Sequence, residues 1–239
     1  MIGALARSFL TRRLCSPMRL LFLLLLAGQD LVQVLLSGRA GPAEGILACL
    51  ATLLFGAGLV GQERKDGSLA LLLTRPFPRS SLVIAAWLAA AVGGVGVWLV
   101  LTSLHLALAV LPQVDVQGSG QAWVTHAATA LGGSLGLAAV VVFFGVAFRG
   151  LSGVAAHAGL IYLATTLSGL ANDSGRESLK WLASEGVGLL LPVPKFAELL
   201  SPGGWSWFGL VTPASNATLA LLAACWLLGR AQLSYSQGA

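Results

Sequence analysis

The chain has 239 residues and a net charge of +5, yet only 10% of its residues are charged and 56% are hydrophobic. A water-soluble domain carries about a quarter charged residues, so this composition excludes an ordinary soluble enzyme or binding domain. The basic residues are not gathered into one patch with interleaved aromatic residues, so nucleic acid is not an expected partner. The composition indicates a single bundle of membrane helices in contact with lipids.

The first segment, residues 1–18, predicts a short interfacial helix on the inner leaflet. Its apolar residues fall on one side of a helical projection and its polar residues largely on the other: Ile2, Leu5, Phe9 and Leu10 against Arg7, Thr11 and Arg12. Basic residues before an apolar run also resemble a signal peptide. Because the small-residue cleavage site is poor and the apolar run continues, we expect an uncleaved first span.

Six stretches are apolar enough to cross about 30 Å of hydrocarbon. They are residues 20–36, 46–61, 82–111, 127–148, 153–171 and 209–229. The third stretch is long, so we expect it to tilt or to break near Gly93, Gly94 and Gly96. The sequence therefore predicts an all-α integral membrane protein with about six transmembrane helices.

The first span contains a polar cluster of Gln29, Asp30 and Gln33, within about a 100° arc of one helix. Asp30 lies about 15 Å from Leu20, near the middle of the bilayer. An ionisable group at that depth faces protein or a water-filled cavity. The cluster indicates either a translocation path or subunit interface, or a carboxyl group that is protonated or hydrogen-bonded to a neighbouring helix.

The connection between the second and third spans, residues 62–81, has a mixed-charge head followed by an apolar run and a Pro-containing turn. The head consists of Gln62, Glu63, Arg64, Lys65, Asp66 and Gly67. By composition alone, this connection is either a solvated loop with ordinary cytoplasmic charges or a structured element.

The connection before the last span, residues 172–208, is the longest one and is not simply polar. Residues 178–191 contain enough apolar side chains to predict a helical segment. We expect it to dip into the outer interface or to pack over the mouth of the bundle.

The distribution of Lys and Arg predicts that both termini are cytoplasmic, because cytoplasmic connections are enriched in basic residues. Ten of the 14 basic residues then lie on the inner side: Arg7, Arg12, Arg13, Arg19, Arg64, Lys65, Arg75, Arg79, Arg149 and Arg230. The outer side holds Arg39, Arg176, Lys180 and Lys195.

The order of residues in the 62–81 connection resembles the cytoplasmic segment of ABC-2-type transporter permeases. In that family an acidic residue with basic neighbours precedes Gly-[Ser/Thr]-Leu, a Leu-rich run and an Arg-Pro turn. The matching residues here are Glu63, Gly67, Ser68, Leu69, Leu71, Leu72, Leu73, Arg75, Pro76 and Arg79. The six-span layout, the basic N-terminal helix and the long outer connection also resemble compact permeases whose ATPase is a separate chain.

This resemblance implies a permease subunit in the inner (plasma) membrane that exports its substrate. Its partners would be an ABC ATPase dimer and a second permease copy or a related permease, and residues 62–67 would couple it to the ATPase. A phosphate-binding loop requires a Gly-Lys pair, which the sequence lacks, so ATP and Mg would bind to the partner. We therefore expect no catalytic residue, metal ligand or cofactor in this chain, and no enzymatic activity of its own.

Two other classes fit the same spans. A non-transporting membrane anchor or assembly factor would need no ATPase. An intramembrane haem protein would need two histidines at one depth, and His105 and His126 both fall toward the outer side.

Overall fold

The computed structural model describes residues 1–65, 78–148, 152–174, 177–193 and 208–230. Within those residues the helices are α1 (Ile2–Leu14), α2 (Pro17–Ser37), α3 (Gly45–Gly56), α4 (Leu59–Lys65), α5 (Arg79–Leu108), α6 (Gly120–Ala147), α7 (Ser152–Ser174), α8 (Glu177–Leu190) and α9 (Phe208–Arg230). Two short strands, β1 (Arg39–Ala40) and β2 (Asp115–Val116), pair in parallel. The prediction of an all-α membrane protein is confirmed.

In the described part of the chain, five helices are long and apolar enough to cross a membrane: α2, α5, α6, α7 and α9. The other predicted span, residues 46–61, falls on a shorter apolar stretch, Gly45–Gly61. That stretch is divided, because α3 ends at Gly56, α4 begins at Leu59, and Gly58 between them has a positive φ of 68°. All six predicted spans thus fall on helices, and the second is broken near its end.

The bundle has two ends, which we call the α1 end and the loop end. At the α1 end, Phe9 of α1 packs in one cluster with Leu59, Leu82 and Leu228, which come from α4, α5 and α9. The loop end contains β1 and β2 together with the connection between α2 and α3. Within the predicted interfacial segment 1–18, α1 covers Ile2–Leu14 and α2 begins at Pro17. The apolar face of α1 contacts the protein itself.

The centre of the bundle is formed by α3, α5 and α6, which approach closely through small residues. A Cβ atom on Gly93 would lie 2.5 Å from the Phe55 ring, and one on Gly94 would overlap Thr52 Oγ1 and lie 2.6 Å from Ala48 O. Of the two alternatives expected for this span, a tilt or a break near these glycines, the break is wrong, because α5 is continuous from Arg79 to Leu108. The glycines provide space for α3.

Helix α8 inserts into the bundle beside α7 and does not merely cover its mouth. At its end, Leu190 packs against Phe144 of α6 and its carbonyl oxygen lies 3.0 Å from His157 Nε2. Pro192 then lies against Gly136 of α6, where a Cβ atom would be 2.5 Å from the Pro192 oxygen. The outer segment was expected to dip into the outer interface or to pack over the mouth of the bundle, and its described part packs on α6 and α7.

Candidate coupling site and the buried ion pair of α2

The break between α3 and α4 exposes two backbone carbonyl groups, and two arginines donate to them. Arg19 Nη2 donates to Ala57 O at 3.2 Å, and Arg13 Nη2 donates to Gly58 O at 3.0 Å. Carbonyl groups at the end of a helix lack intrahelical partners and carry partial negative charge. The two guanidinium groups therefore stabilise the break and connect it to α1 and α2.

Glu63 is the member of the predicted coupling set whose side chain can be placed, and it forms an ion pair with α1. Arg12 Nη1 lies 3.0 Å from Glu63 Oε1; the Glu63 side chain is 13% exposed and that of Arg12 is 65% exposed. Of the other predicted coupling residues, the backbone of Gln62, Arg64 and Lys65 is described but their side chains are not, and Asp66 and Gly67 lie outside the described residues. The described part of this element is thus joined to α1 through one carboxylate.

The chain returns to the described structure at Pro78, and the first residue of α5 is anchored to the last helix. Arg79 Nη1 donates to Gly229 O at 3.1 Å and to Leu228 O at 3.4 Å. These are carbonyl groups in the last turn of α9, where a cation is favourable. Both sides of residues 66–77 are consequently tied to the bundle at the α1 end.

Sequence reasoning treated Arg13 and Arg19 only as charges that set the orientation of the chain. Their contacts with Ala57 and Gly58 were missed because a helix break inside an apolar stretch does not change its hydropathy. The available signal was Gly58, a glycine placed five residues before the acidic residue of the charged head. A glycine at that position permits the positive φ that ends one helix before the next begins.

A second polar site lies at the loop end, where Asp30 of α2 forms an ion pair with His105 of α5. Asp30 Oδ2 lies 2.7 Å from His105 Nε2, and the two side chains are 14% and 5% exposed, respectively. His105 Nδ1 lies 3.0 Å from Gly41 O in the connection between α2 and α3. One imidazole therefore contacts two neighbouring segments at once.

A cavity of about 150 Å³ adjoins this pair. Its polar lining side chains are Asp30, Gln33, Ser37, Arg39, Glu44 and His105. Of the predicted cluster, Asp30 and Gln33 are brought together at this cavity, whereas Gln29 does not line it and is exposed on α2. Asp30 lies seven residues before the end of α2, or about 10 Å, in the half of the helix that leads to the loop end.

The histidines considered as haem ligands have protein partners in this structure. His105 contacts Asp30 and Gly41 through its two ring nitrogens, and His126 Nδ1 accepts a hydrogen bond from Gly45 N at 3.4 Å. No group of three or more His, Cys, Asp or Glu side chains suited to a metal occurs within the described ranges. The geometry gives the haem alternative no support.

Comparison with known proteins gives one result that bears on these sites. Residues 3–172 match the family described as ABC-2 family transporter protein, a range that extends from α1 nearly to the end of α7. A search of curated proteins finds no match. The matched range includes Glu63, the α3–α4 break and the Asp30–His105 pair, and covers more than half of the chain. The chain therefore belongs to the ABC-2 transporter family and is a multi-pass membrane permease.

Proposed function

We propose that this chain is the transmembrane subunit of an ABC exporter, driven by an ATPase dimer encoded as a separate chain. It works as two copies or as one copy with a related permease. The observation that carries the proposal is the attachment of the two segments that flank residues 66–77, through Glu63 to α1 and through Arg79 to α9. A cytoplasmic element can transmit force only if it is rigidly attached to the helices that must move.

The contacts at the α1 end support a route for that force. A push on residues 62–67 would reach α1 through Arg12 and the α3–α4 break through Arg13. Because α1 packs in one cluster with α4, α5 and α9, these helices would move together. Catalysis of ATP hydrolysis, with its Mg, belongs to the partner.

The positions of the chain ends support the proposed orientation. Helix α1 and the last turn of α9 lie at the same end of the bundle, since Phe9 and Leu228 belong to one cluster. We place this end in the cytoplasm of a cell with the permease in its inner (plasma) membrane. The loop end then lies toward the outer side, and α8, which follows the outer end of α7, would gate the exit.

The polar cavity at the loop end is a candidate part of the translocation path or of the interface between permease subunits. Asp30 and Gln33 line it, and Arg39 and Glu44 bring charges of both signs to the same space. These side chains offer hydrogen bonds to a polar group of a substrate, while the helices around them are apolar. The substrate itself is not specified by these residues.

Co-purification from mild detergent, followed by an ATPase assay, tests the proposal. We expect an ATPase with a phosphate-binding loop to co-purify with the wild-type chain, and the double substitution Glu63→Ala, Arg64→Ala to lose it or to uncouple its activity. Glu177→Ala is the matched control, because it removes an exposed carboxylate of the Glu177–Lys180 pair on α8.

Three results would count against the proposal. If the wild-type chain brings down no ATPase in several detergents, the chain is better described as a membrane anchor or assembly factor. If Glu177→Ala loses the ATPase as completely as the double variant does, residues 62–67 are not the coupling element. If the double variant retains full coupled activity, the route through Glu63 is wrong.

A further inference from the structure

Helix α2 has fewer buried residues than α5 and α6, the long helices at the centre of the bundle. Val34 is its one buried residue in the described structure, and much of its apolar surface is exposed, including Leu36 at 84%. Near its first turn it is held by Arg19 on Ala57 O. Near its other end α2 contacts α5 through the Asp30–His105 pair and through Val34, which packs with Leu108. The pair is the polar part of that attachment, and its state decides whether the polar part is present.

The partners of His105 determine where its protons are. Gly41 O can only accept a hydrogen bond, so His105 Nδ1, 3.0 Å away, carries a proton and donates it. His105 Nε2 lies 2.7 Å from Asp30 Oδ2, and at that distance the contact is favourable only with a hydrogen on one of the two atoms. That hydrogen resides on Nε2, giving an imidazolium and a carboxylate, or on Oδ2, giving two neutral groups. In both cases the closed pair holds one shared proton.

Loss of the shared proton would reverse the interaction. With Nδ1 still donating to Gly41, the lone pair of Nε2 would face a carboxylate oxygen at 2.7 Å with no hydrogen between them. Two acceptors at that distance repel each other. The side chains would then separate or admit water, and α2 would lose its polar contact with α5.

The surroundings allow a proton to enter and leave. The adjoining cavity of about 150 Å³ has room for several water molecules and is lined by polar groups. The charged groups that line it with the pair are Arg39, from β1, and Glu44, at the start of α3. On α6, His126 Nδ1 accepts a hydrogen bond from Gly45 N. On β2, Asp115 is paired with Arg39 of β1.

We propose that Asp30 and His105 form a buried proton-binding site that fastens the loop end of α2 to α5 when occupied and releases it when empty. The release is local. Ala43 stays attached to α5, because its N–H donates to Thr102 Oγ1 at 3.2 Å and its carbonyl accepts from Trp98 Nε1 at 2.8 Å. The connection is also held, because Asp115 N donates to Gly38 O and Gln117 N donates to Ala40 O. The residues that would move are those of α2 between its first turns and Gly38.

The proposal is tested by electron–electron distance measurements on the full chain in lipid nanodiscs. Spin labels are placed on Leu36→Cys and Val211→Cys, both exposed sites, after substitution of Cys15, Cys49 and Cys225. We expect one narrow distance at pH 5.5 and a second population as the pH is raised. Because one proton is released, the ratio of open to closed forms should rise about tenfold per pH unit.

Two variants separate the proton site from simple packing. Asn in Asp30→Asn can donate its amide N–H to Nε2 of neutral His105, so this variant should keep the narrow distance at every pH. Asp30→Ala should show the second population at every pH. Gln33→Ala, which lines the same cavity but forms no part of the pair, is the control and should respond to pH as the wild type does. A pH-independent wild type, or a wild-type response in Asp30→Asn, overturns the proposal.

Imidazole nitrogen NMR gives an independent check that needs no spin label. His105 is assigned by its loss in His105→Gln, and its Nδ1 should stay protonated throughout the titration. Its Nε2 signal should shift with the same midpoint as the distance change. An unprotonated Nδ1 at low pH, or different midpoints in the two measurements, would refute the proton count on which the site depends.

Discussion

The two ends of the bundle are held by polar contacts of different kinds. At the α1 end, Arg13, Arg19 and Arg79 donate to carbonyl groups at helix ends. Guanidinium groups stay charged at any physiological pH and the carbonyl groups do not titrate, so these contacts are permanent. At the loop end, the polar contact of α2 with α5 is the Asp30–His105 pair, which needs a hydrogen on one of its two facing atoms. One end is suited to transmitting force and the other to a conditional attachment.

Between the two ends lies a tightly packed centre, and filling it should have the largest effect. We expect Gly94→Val to destabilise the protein by about 3 kcal/mol or more, because its side chain would overlap Thr52 and Ala48 of α3. Gly96→Val, two residues along the same helix, has no atom within 4 Å of its Cβ position and should be nearly neutral. Thermal unfolding in detergent distinguishes them.

The same pair of variants tests whether the ends share one core. If Gly94→Val unfolds the α1 end and the loop end in a single transition, the centre couples them. Equal stability of Gly94→Val and Gly96→Val would show that α3 does not pack on α5 as described.

The hydrogen bonds from arginines to carbonyl groups at the α1 end should have the next largest effect on stability. Arg13→Ala leaves Gly58 O without its donor at a partly buried helix break, which should cost about 1–2 kcal/mol. Arg7→Ala removes an exposed arginine of the same helix and should change stability by less than about 0.5 kcal/mol. The measurement is the shift in unfolding midpoint, and equal shifts for the two variants would contradict a structural role for Arg13.

Features of the fold that depend on composition could be predicted from the sequence, whereas features that depend on packing could not. Hydropathy was sufficient for the six apolar segments and for the helix within residues 1–18, because burial in lipid or protein imposes composition over many residues. The continuity of α5 through Gly93 and Gly94 was not predictable, because a glycine that admits a neighbouring helix and one that breaks a helix look alike in sequence.

The Asp30–His105 pair and the coupling residues 62–67 were also predictable only in part. Asp30 was recognisable because a carboxyl group in an apolar span needs a partner. Its partner, His105, lies 75 positions later, and only the packing of α2 against α5 brings the two together. Likewise, the coupling residues 62–67 were predicted from their order, but the arginines that hold Glu63 and the α3–α4 break come from another helix.

A smaller effect on stability is expected at the hydrogen bond between Ala43 and Thr102, which attaches the α2–α3 connection to α5. Thr102→Val removes the hydroxyl that accepts from Ala43 N, leaving that buried N–H unpaired at a cost of about 1 kcal/mol. Ser103→Ala, at the next position of α5, removes an exposed hydroxyl bonded within its own helix and is the control. The unfolding midpoint reports the difference, and a neutral Thr102→Val would mean that Ala43 is held by Trp98 alone.

The smallest effect on stability is expected at the Arg12–Glu63 pair, and there the comparison between the two ends is sharpest. Arg12 is largely exposed, so its ion pair should contribute only about 0.5 kcal/mol, as measured by a double-mutant cycle of Arg12→Ala with Glu63→Gln. If Glu63 transmits force from an ATPase to α1, Arg12→Ala should nevertheless reduce coupled ATPase activity several-fold. Arg7→Ala again serves as the control.

A small loss of stability together with a several-fold loss of coupled ATPase activity distinguishes a coupling contact from an ordinary surface ion pair. A surface pair would lose about 0.5 kcal/mol and leave ATPase coupling unchanged, since nothing depends on its geometry. A contact that carries motion loses function when its geometry is lost, however little it stabilises the fold. Coupled activity that stays at the wild-type level in Arg12→Ala would therefore remove the Arg12–Glu63 contact from the proposed route. The α3–α4 break and the anchor of Arg79 on α9 would then be the remaining described connections to the bundle.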